Sequence, residues 1–311
     1  MPGRFQSLAL ATCLAALTVT TLAAREFSAY AIGNSLTVDT LNGGRGLETY
    51  LAAGGIQARL GYHIRCNEGL AHILEHPEES CGEDRLFKPA NWEVALSTHF
   101  EVITLQPFSR STIAAEANAM VQLIEHATKQ NPRNAESIYM YLAAWPRFES
   151  GAPKETQDYA ALWLTPAPDS DEAPITVLSR EVHQRIFAKV QQAVSPEVTL
   201  RMAPVGEAFY AVHLAIESGR AKPLHHTSQL YRDHIHANVG FGRWLAGNVF
   251  IASALDGDPA PLGNNAATLR AYGVADFPEV LPVLKFLREI AWETVQELNV
   301  SADRDAATTV D

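Results

Sequence analysis

Residues 27–37 read Phe27-Ser28-Ala29-Tyr30-Ala31-Ile32-Gly33-Asn34-Ser35-Leu36-Thr37. A short β-favouring apolar run ends at Gly-Asn, so 27–33 reads as a strand that stops in a turn, with a serine at the switch from strand to loop. Stretches of the same kind recur at 57–64, 101–107, 137–143 and 197–204. Between them lie segments of helical period at about 46–53, 114–128, 179–193 and 207–218, and two more, 242–255 and 278–298, follow the last strand. This alternation predicts a parallel five-stranded sheet with helices on both faces, a three-layer α/β/α sandwich. Right-handed crossovers bring the loops after the strands to one rim, and open sheets of this kind bind ligands there. Ser35 therefore falls on the edge where function is expected.

The chain has 311 residues, 47% of them apolar and 19% charged, which is enough apolar material to bury a large core. Thirty-five acids against 24 bases give a net charge of −11, which repels a phosphate backbone, so nucleic acid is not expected as a partner. Residues 25–300 read as a single domain with an insertion at about 145–173. That insertion holds Pro146, Pro153, Pro166 and Pro168, an acidic cluster at Asp169-Ser170-Asp171-Glu172, and the aromatics Trp145, Phe148, Tyr159 and Trp163. A long segment of this composition after a strand is either a lid or substrate-facing wall, or a tolerated surface insertion. The tail 301–311 is small and polar and is expected to be disordered.

Residues 1–24 carry one charge, Arg4, then an apolar run over 8–24 that ends in small residues before Arg25. This pattern reads as a secretory signal peptide. The run is Thr-rich and a little short for a membrane span, an uncleaved anchor being the alternative. With no second long apolar run, no stable membrane insertion is expected beyond this segment, and the protein is expected to be exported, periplasmic or extracellular. Cys66 and Cys81 are then the only cysteines outside the signal segment. An even pair in an oxidising compartment predicts a disulfide, with two separate thiols as the alternative.

A second stretch with chemical potential lies after the last strand: Tyr231-Arg232-Asp233-His234-Ile235-His236-Ala237-Asn238. A serine hydroxyl is a poor nucleophile at neutral pH. It needs an imidazole to take its proton, and a carboxylate to fix the tautomer and stabilise the imidazolium. Asp233 and His236 are close enough in sequence for one loop to deliver both groups to Ser35.

In this order, and at these ends of an α/β chain, the two blocks resemble those of the SGNH hydrolases, the GDSL esterase/lipase family. Gly33-Asn34-Ser35-Leu36 is similar to the family's Gly-Asp-Ser-Leu, with Asn for Asp, and Asp233-His234-Ile235-His236 to its Asp-x-x-His. Asn238, Gly240 and Gly242 then stand where the family continues with a small or polar residue, a glycine and a helix. The resemblance implies a flavodoxin-like sandwich of SGNH type, with Ser35 as nucleophile, His236 as general base and then acid, and Asp233 as the orienting carboxylate. It also implies an oxyanion hole built from the Ser35 N–H, the N–H of Gly69 in Asn67-Glu68-Gly69-Leu70, and a third donor after the third strand. There the family's Gly-x-Asn is replaced by Leu105-Gln106-Pro107, and the Gln106 amide is the expected substitute. Loss of one such donor typically costs about 10²- to 10³-fold in rate.

These readings predict an exported esterase that cleaves an acyl or O-acetyl ester, with a small-molecule or glycan ester as its partner and no cofactor. The aromatic insertion would offer an acyl-binding wall to lipid esters. A non-catalytic carbohydrate-binding protein of the same fold is one alternative. A metal-dependent hydrolase using His234 and His236, which would point to the same side of an extended segment, is another. Gly43-Gly44-Arg45-Gly46 fits neither nucleotide fingerprint and reads as a turn. Protonation of His236 predicts activity falling below about pH 6.

Overall fold

The structure is a computed structural model and describes residues 25–275 and 278–308, so residues 1–24, which read as a signal peptide, lie outside the described residues. Strands β1 (Arg25–Gly33), β2 (Ile56–Ile64), β3 (Val102–Leu105), β4 (Ile138–Leu142) and β5 (Thr199–Ala203) form one sheet. All neighbours are parallel, in the order β2-β1-β3-β4-β5. β3, Val-Ile-Thr-Leu, is buried along its whole length and β4, Ile-Tyr-Met-Tyr-Leu, in all but its first residue, as strands covered on both faces must be.

The helices in chain order are α1 (Ser35–Thr40), α2 (Arg45–Ala53), α3 (Leu70–Glu75), α4 (Trp92–Ala95), α5 (Ile113–Gln130), α6 (Tyr159–Trp163), α7 (Arg180–Ala193), α8 (Val205–Glu217), α9 (Phe241–Leu255), α10 (Ala266–Ala271) and α11 (Leu281–Thr308). The chain steps one way from β1 to β2 and the other way from β3 through β5. Right-handed crossovers then set α2 on one face and α5 and α7 on the other, which gives the three-layer sandwich. α3 packs on α5 and α5 on α7, while α8, α9 and α11 pack together. α9 is buried on nearly every side, from Gly242 to Ala254, and needs both α8 and α11 as cover.

The long helices fall within a few residues of their expected positions, whereas several short ones were not expected. α1 is the one that matters for the site. Ser35 was read as loop, but Asn34 caps a helix that begins at Ser35, its side-chain oxygen accepting from Leu36 N. The tail also differs from expectation, since α11 runs to Thr308 through most of the stretch read as disordered. Its Ser-Ala-Asp-Arg-Asp-Ala-Ala sequence holds no Gly or Pro and simply prolongs a packed helix. No described helix is long and apolar enough to cross a membrane.

Because β1 is followed by β2 on one side and flanked by β3 on the other, the loops leaving β1 and β3 diverge and open a crevice at their carboxyl ends. Ser35 follows β1, the Gly69 block follows β2, and Gln106 follows β3.

Candidate active site

The turn after β1 is assembled by Asn34 and Gln106, both fully buried. Asn34 donates its backbone N–H to Gln106 Oε1 (3.2 Å) and its side-chain amide to the Glu68 carbonyl (3.1 Å), tying the turn to the loop after β2. Thr37 Oγ1 donates to the same Gln106 oxygen at 3.1 Å. Gly33 is required by space, since a Cβ there would collide with the Thr37 hydroxyl and lie 2.9 Å from Gln106 Cβ. These contacts set Ser35 half-buried at the first position of α1.

The loop carrying the histidine is a tight turn closed by an antiparallel bridge between Tyr231 and Ala237, with Arg232 N donating to the His236 carbonyl at 2.8 Å. Asp233 Oδ1 accepts the N–H groups of Ile235 (2.9 Å) and His236 (2.8 Å), folding the carboxylate back under the imidazole. His236 Nδ1–H then donates to Asp233 Oδ2 at 2.8 Å, and Ser35 Oγ–H donates to His236 Nε2 at 2.9 Å. The carboxylate selects the tautomer that leaves Nε2 free to accept. Burial pushes the Asp233 carboxyl up, but the two N–H groups and the imidazole outweigh it and hold the pKa well below the usual carboxylate range. Asp233 is thus an anion at any pH at which a histidine titrates.

Three side chains from loops expected to meet, Ser35, Asp233 and His236, are brought into one hydrogen-bonded chain across a separation of 201 residues. The Ser35 and Gly69 N–H groups have no hydrogen-bond partner among the described residues. Gly69 caps α3 over Glu116, a fully buried carboxylate that accepts from Leu70 N (2.9 Å), Ala71 N (3.2 Å) and Phe108 N (3.1 Å). Burial pushes the Glu116 carboxyl up against these three donors. A Cβ on Gly69 would collide with this carboxylate. Cys66 and Cys81 are joined in a disulfide, Cα–Cα 5.8 Å, which fastens the start of the same block.

Two expectations need correction. Gln106 does not present its amide as an oxyanion donor. Its oxygen holds Asn34 and Thr37, its Nε2 donates to the Pro107 carbonyl at 2.5 Å, and it lies fully buried beneath the serine turn. The aromatics of the 145–173 segment form neither a lid nor a substrate-facing wall nor a surface insertion, although Ser150 and Lys154 of the same segment line a cleft beside Asp233. Trp145, Phe148, Tyr159 and Trp163 are buried, Trp145 stacks on Phe209 at 4.9 Å and Phe148 tilts on Tyr231 at 4.7 Å. The segment grips the histidine loop from behind: Trp145 Nε1 donates to the Ile235 carbonyl (2.6 Å), Phe148 N to the His234 carbonyl (2.8 Å) and Lys154 Nζ to the Tyr231 carbonyl (2.7 Å). Apolar aromatic area buried in this way stabilises by about 1.5–3 kcal/mol per side chain, which a free lid would forgo.

His234 turns its ring to donate to the Ala152 carbonyl at 3.2 Å, while both nitrogens of His236 are engaged by Asp233 and Ser35. The two imidazoles therefore do not form a common ligand set. Glu116 and Asp39 escaped the sequence reading, although each is an acid inside an apolar helical stretch, a pattern that marks a buried, partnered carboxylate.

No protein-family model matches the chain, and no curated protein matches it. Among solved structures it is similar to a DUF4886 family protein from Bacteroides uniformis, at 15% identity over 83% of this chain and 96% of that one, with a TM-score of 0.49. It is also similar to the periplasmic domain of a lipopolysaccharide acetyltransferase from Salmonella ser. Paratyphi A, at 15% identity over 60% of this chain and 69% of that one, with a TM-score of 0.35. What the site can do follows from its own atoms.

Proposed function

We propose that the protein is an exported serine esterase that cleaves short acyl or O-acetyl esters, with carbohydrate esters as the favoured class. The observation that carries this reading is the unbroken chain from Ser35 Oγ through His236 to Asp233, with donor–acceptor distances of 2.9 and 2.8 Å. In the proposed reaction Ser35 Oγ attacks the ester carbonyl as its proton passes to His236 Nε2, and Asp233 stabilises the imidazolium. The carbonyl oxygen, now negative, lies against the Ser35 and Gly69 N–H groups. Collapse expels the alcohol, which takes the proton from His236. Water activated by the same imidazole then releases the acid and restores Ser35.

Short acyl groups are favoured because the aromatics that would have walled a long chain are buried in the core instead. Beside Asp233 opens a cleft of about 490 Å³ to which the polar residues Ser150, Lys154, Arg232 and His234 contribute, groups that suit a hydroxylated leaving group. Export is supported by the apolar run at 8–24 and by the disulfide, a bond that persists in oxidising compartments. The test is a panel of p-nitrophenyl esters of increasing acyl length run beside an acetylated-glycan assay, with Ser35→Ala as the blank. The reading expects turnover of acetyl over long-chain esters and none in the blank. Turnover that survives Ser35→Ala, or none with any ester, would overturn it.

A further inference from the structure

One turn beyond Ser35 on α1 stands Asp39, on the same helical face and only 2% exposed. Its Oδ2 accepts the N–H of Ala237 at 2.9 Å, and its Oδ1 pairs with Arg243 Nη2 at 2.7 Å. Ala237 directly follows His236 and is itself fully buried, so Asp39 is the acceptor for a backbone N–H that water cannot reach. Arg243 lies in the first turn of α9, donates its backbone N–H to the Asn238 carbonyl, and reaches Asn42, in the turn that follows the serine helix, at 3.3 Å.

We propose that Asp39 is the positioning residue that sets the distance between nucleophile and base. A single carboxylate on the serine's own helix fixes the backbone next to the histidine and, through Arg243, the helix that follows it. The role rests on the reading of Ser35 as nucleophile and His236 as base. Asp233 orients the imidazole within its own loop, its hydrogen bonds running to Ile235 and His236. Beside the Ser35–His236 hydrogen bond itself, the contact from Asp39 to Ala237 ties the serine helix directly to the backbone that carries the histidine. A shift of about 1 Å between reacting groups costs on the order of 10²-fold in rate, so losing this contact should appear in kcat rather than in KM.

Removing Asp39 alone would strand a buried guanidinium, so the test replaces both partners. Asp39→Leu/Arg243→Met exchanges the ion pair for apolar groups and leaves the Ala237 N–H without an acceptor. Asp39→Asn/Arg243→Met restores a neutral acceptor in the same place. Each is melted by tryptophan fluorescence and assayed on the best ester of the panel. If the leucine pair does not fold, Asp39→Ala/Arg243→Met takes its place. The expected result is a folded leucine pair with kcat reduced about 10²-fold and KM within roughly twofold of the parent, and an asparagine pair that recovers at least about tenfold of the loss. A folded leucine pair with parental kcat, or an asparagine pair as slow as the leucine pair, would overturn the role of Asp39 and leave the esterase reading standing. A parent protein inert to every ester would overturn both.

Discussion

At the scale of single residues, the division of labour between the two acids near His236 is set by what each carboxylate touches. Asp233 meets the imidazole itself, with Nδ1 2.8 Å from Oδ2. Asparagine at this position would keep an oxygen for the Ile235 and His236 N–H groups but turn an NH₂ toward Nδ1, forcing the proton to Nε2, where Ser35 needs an acceptor. Asp233→Asn is therefore expected to fold normally and to lose about 10⁴-fold in kcat, read by steady-state ester hydrolysis. A loss of less than about tenfold would mean that the carboxylate does not choose the tautomer. The serine and the Asp-x-x-His block were legible because their chemistry needs particular residue types. The partners that hold them were not. Gln106, expected as an oxyanion donor, braces the turn instead, because the sequence places an amide after the third strand but does not say which groups its two ends will meet.

At the scale of elements, the short helix α3 is aimed by one buried carboxylate. Glu116 sits in the first turn of α5, yet its acceptors serve α3 and the turn at Phe108. Glu116→Gln puts an NH₂ against donors and leaves at least one buried N–H unpaired, which costs about 1–3 kcal/mol. The expected outcome is a lower midpoint in urea with a matching fall in kcat, since Gly69 lies directly over the carboxylate. Unchanged stability would show that the three donors find other partners. The long helices were readable from apolar period because packing demands a stripe. α1, at six residues, has too few turns to show one, and its existence depends on the Asn34 cap and on tertiary contacts. The aromatic segment after β4 was misjudged for a related reason: prolines and acids broke the period while the aromatics between them were building core.

At the scale of the whole molecule, acid stability should be governed in part by His183, which stands apart from the Ser35–His236–Asp233 chain. It is 2% exposed and lies between the Tyr141 hydroxyl, 2.7 Å from Nδ1, and the Ala144 carbonyl, 2.9 Å from Nε2. Burial holds its pKa down at about 4 against an ordinary 6.5, the Ala144 carbonyl opposing the shift only in part. Between those values the unfolded chain takes up a proton that the folded molecule refuses. The stabilisation is therefore complete above 6.5 and declines as pH falls toward 4, by on the order of 3 kcal/mol. Urea unfolding at about pH 7 and about pH 4.5 should show this loss in the parent and a smaller one in His183→Gln, which can keep both hydrogen bonds without titrating. Equal losses in the two proteins would exclude His183 as the source.

The disulfide acts at the same scale. It closes a loop with a sequence separation of 15 that carries the Gly69 block, so Cys66→Ser/Cys81→Ser should lower stability by about 3 kcal/mol in urea. The same change should reduce kcat more than it raises KM. A variant as stable as the parent would show that the loop is held by its packing alone.

The meeting of Ser35 and His236 is tested most directly by treating the purified protein with a fluorophosphonate and locating the adduct by peptide mass spectrometry. The account predicts one adduct, on Ser35, absent in Ser35→Ala and formed at least about 10²-fold more slowly in His236→Ala. An unmodified Ser35, or labelling at an undiminished rate without His236, would contradict it.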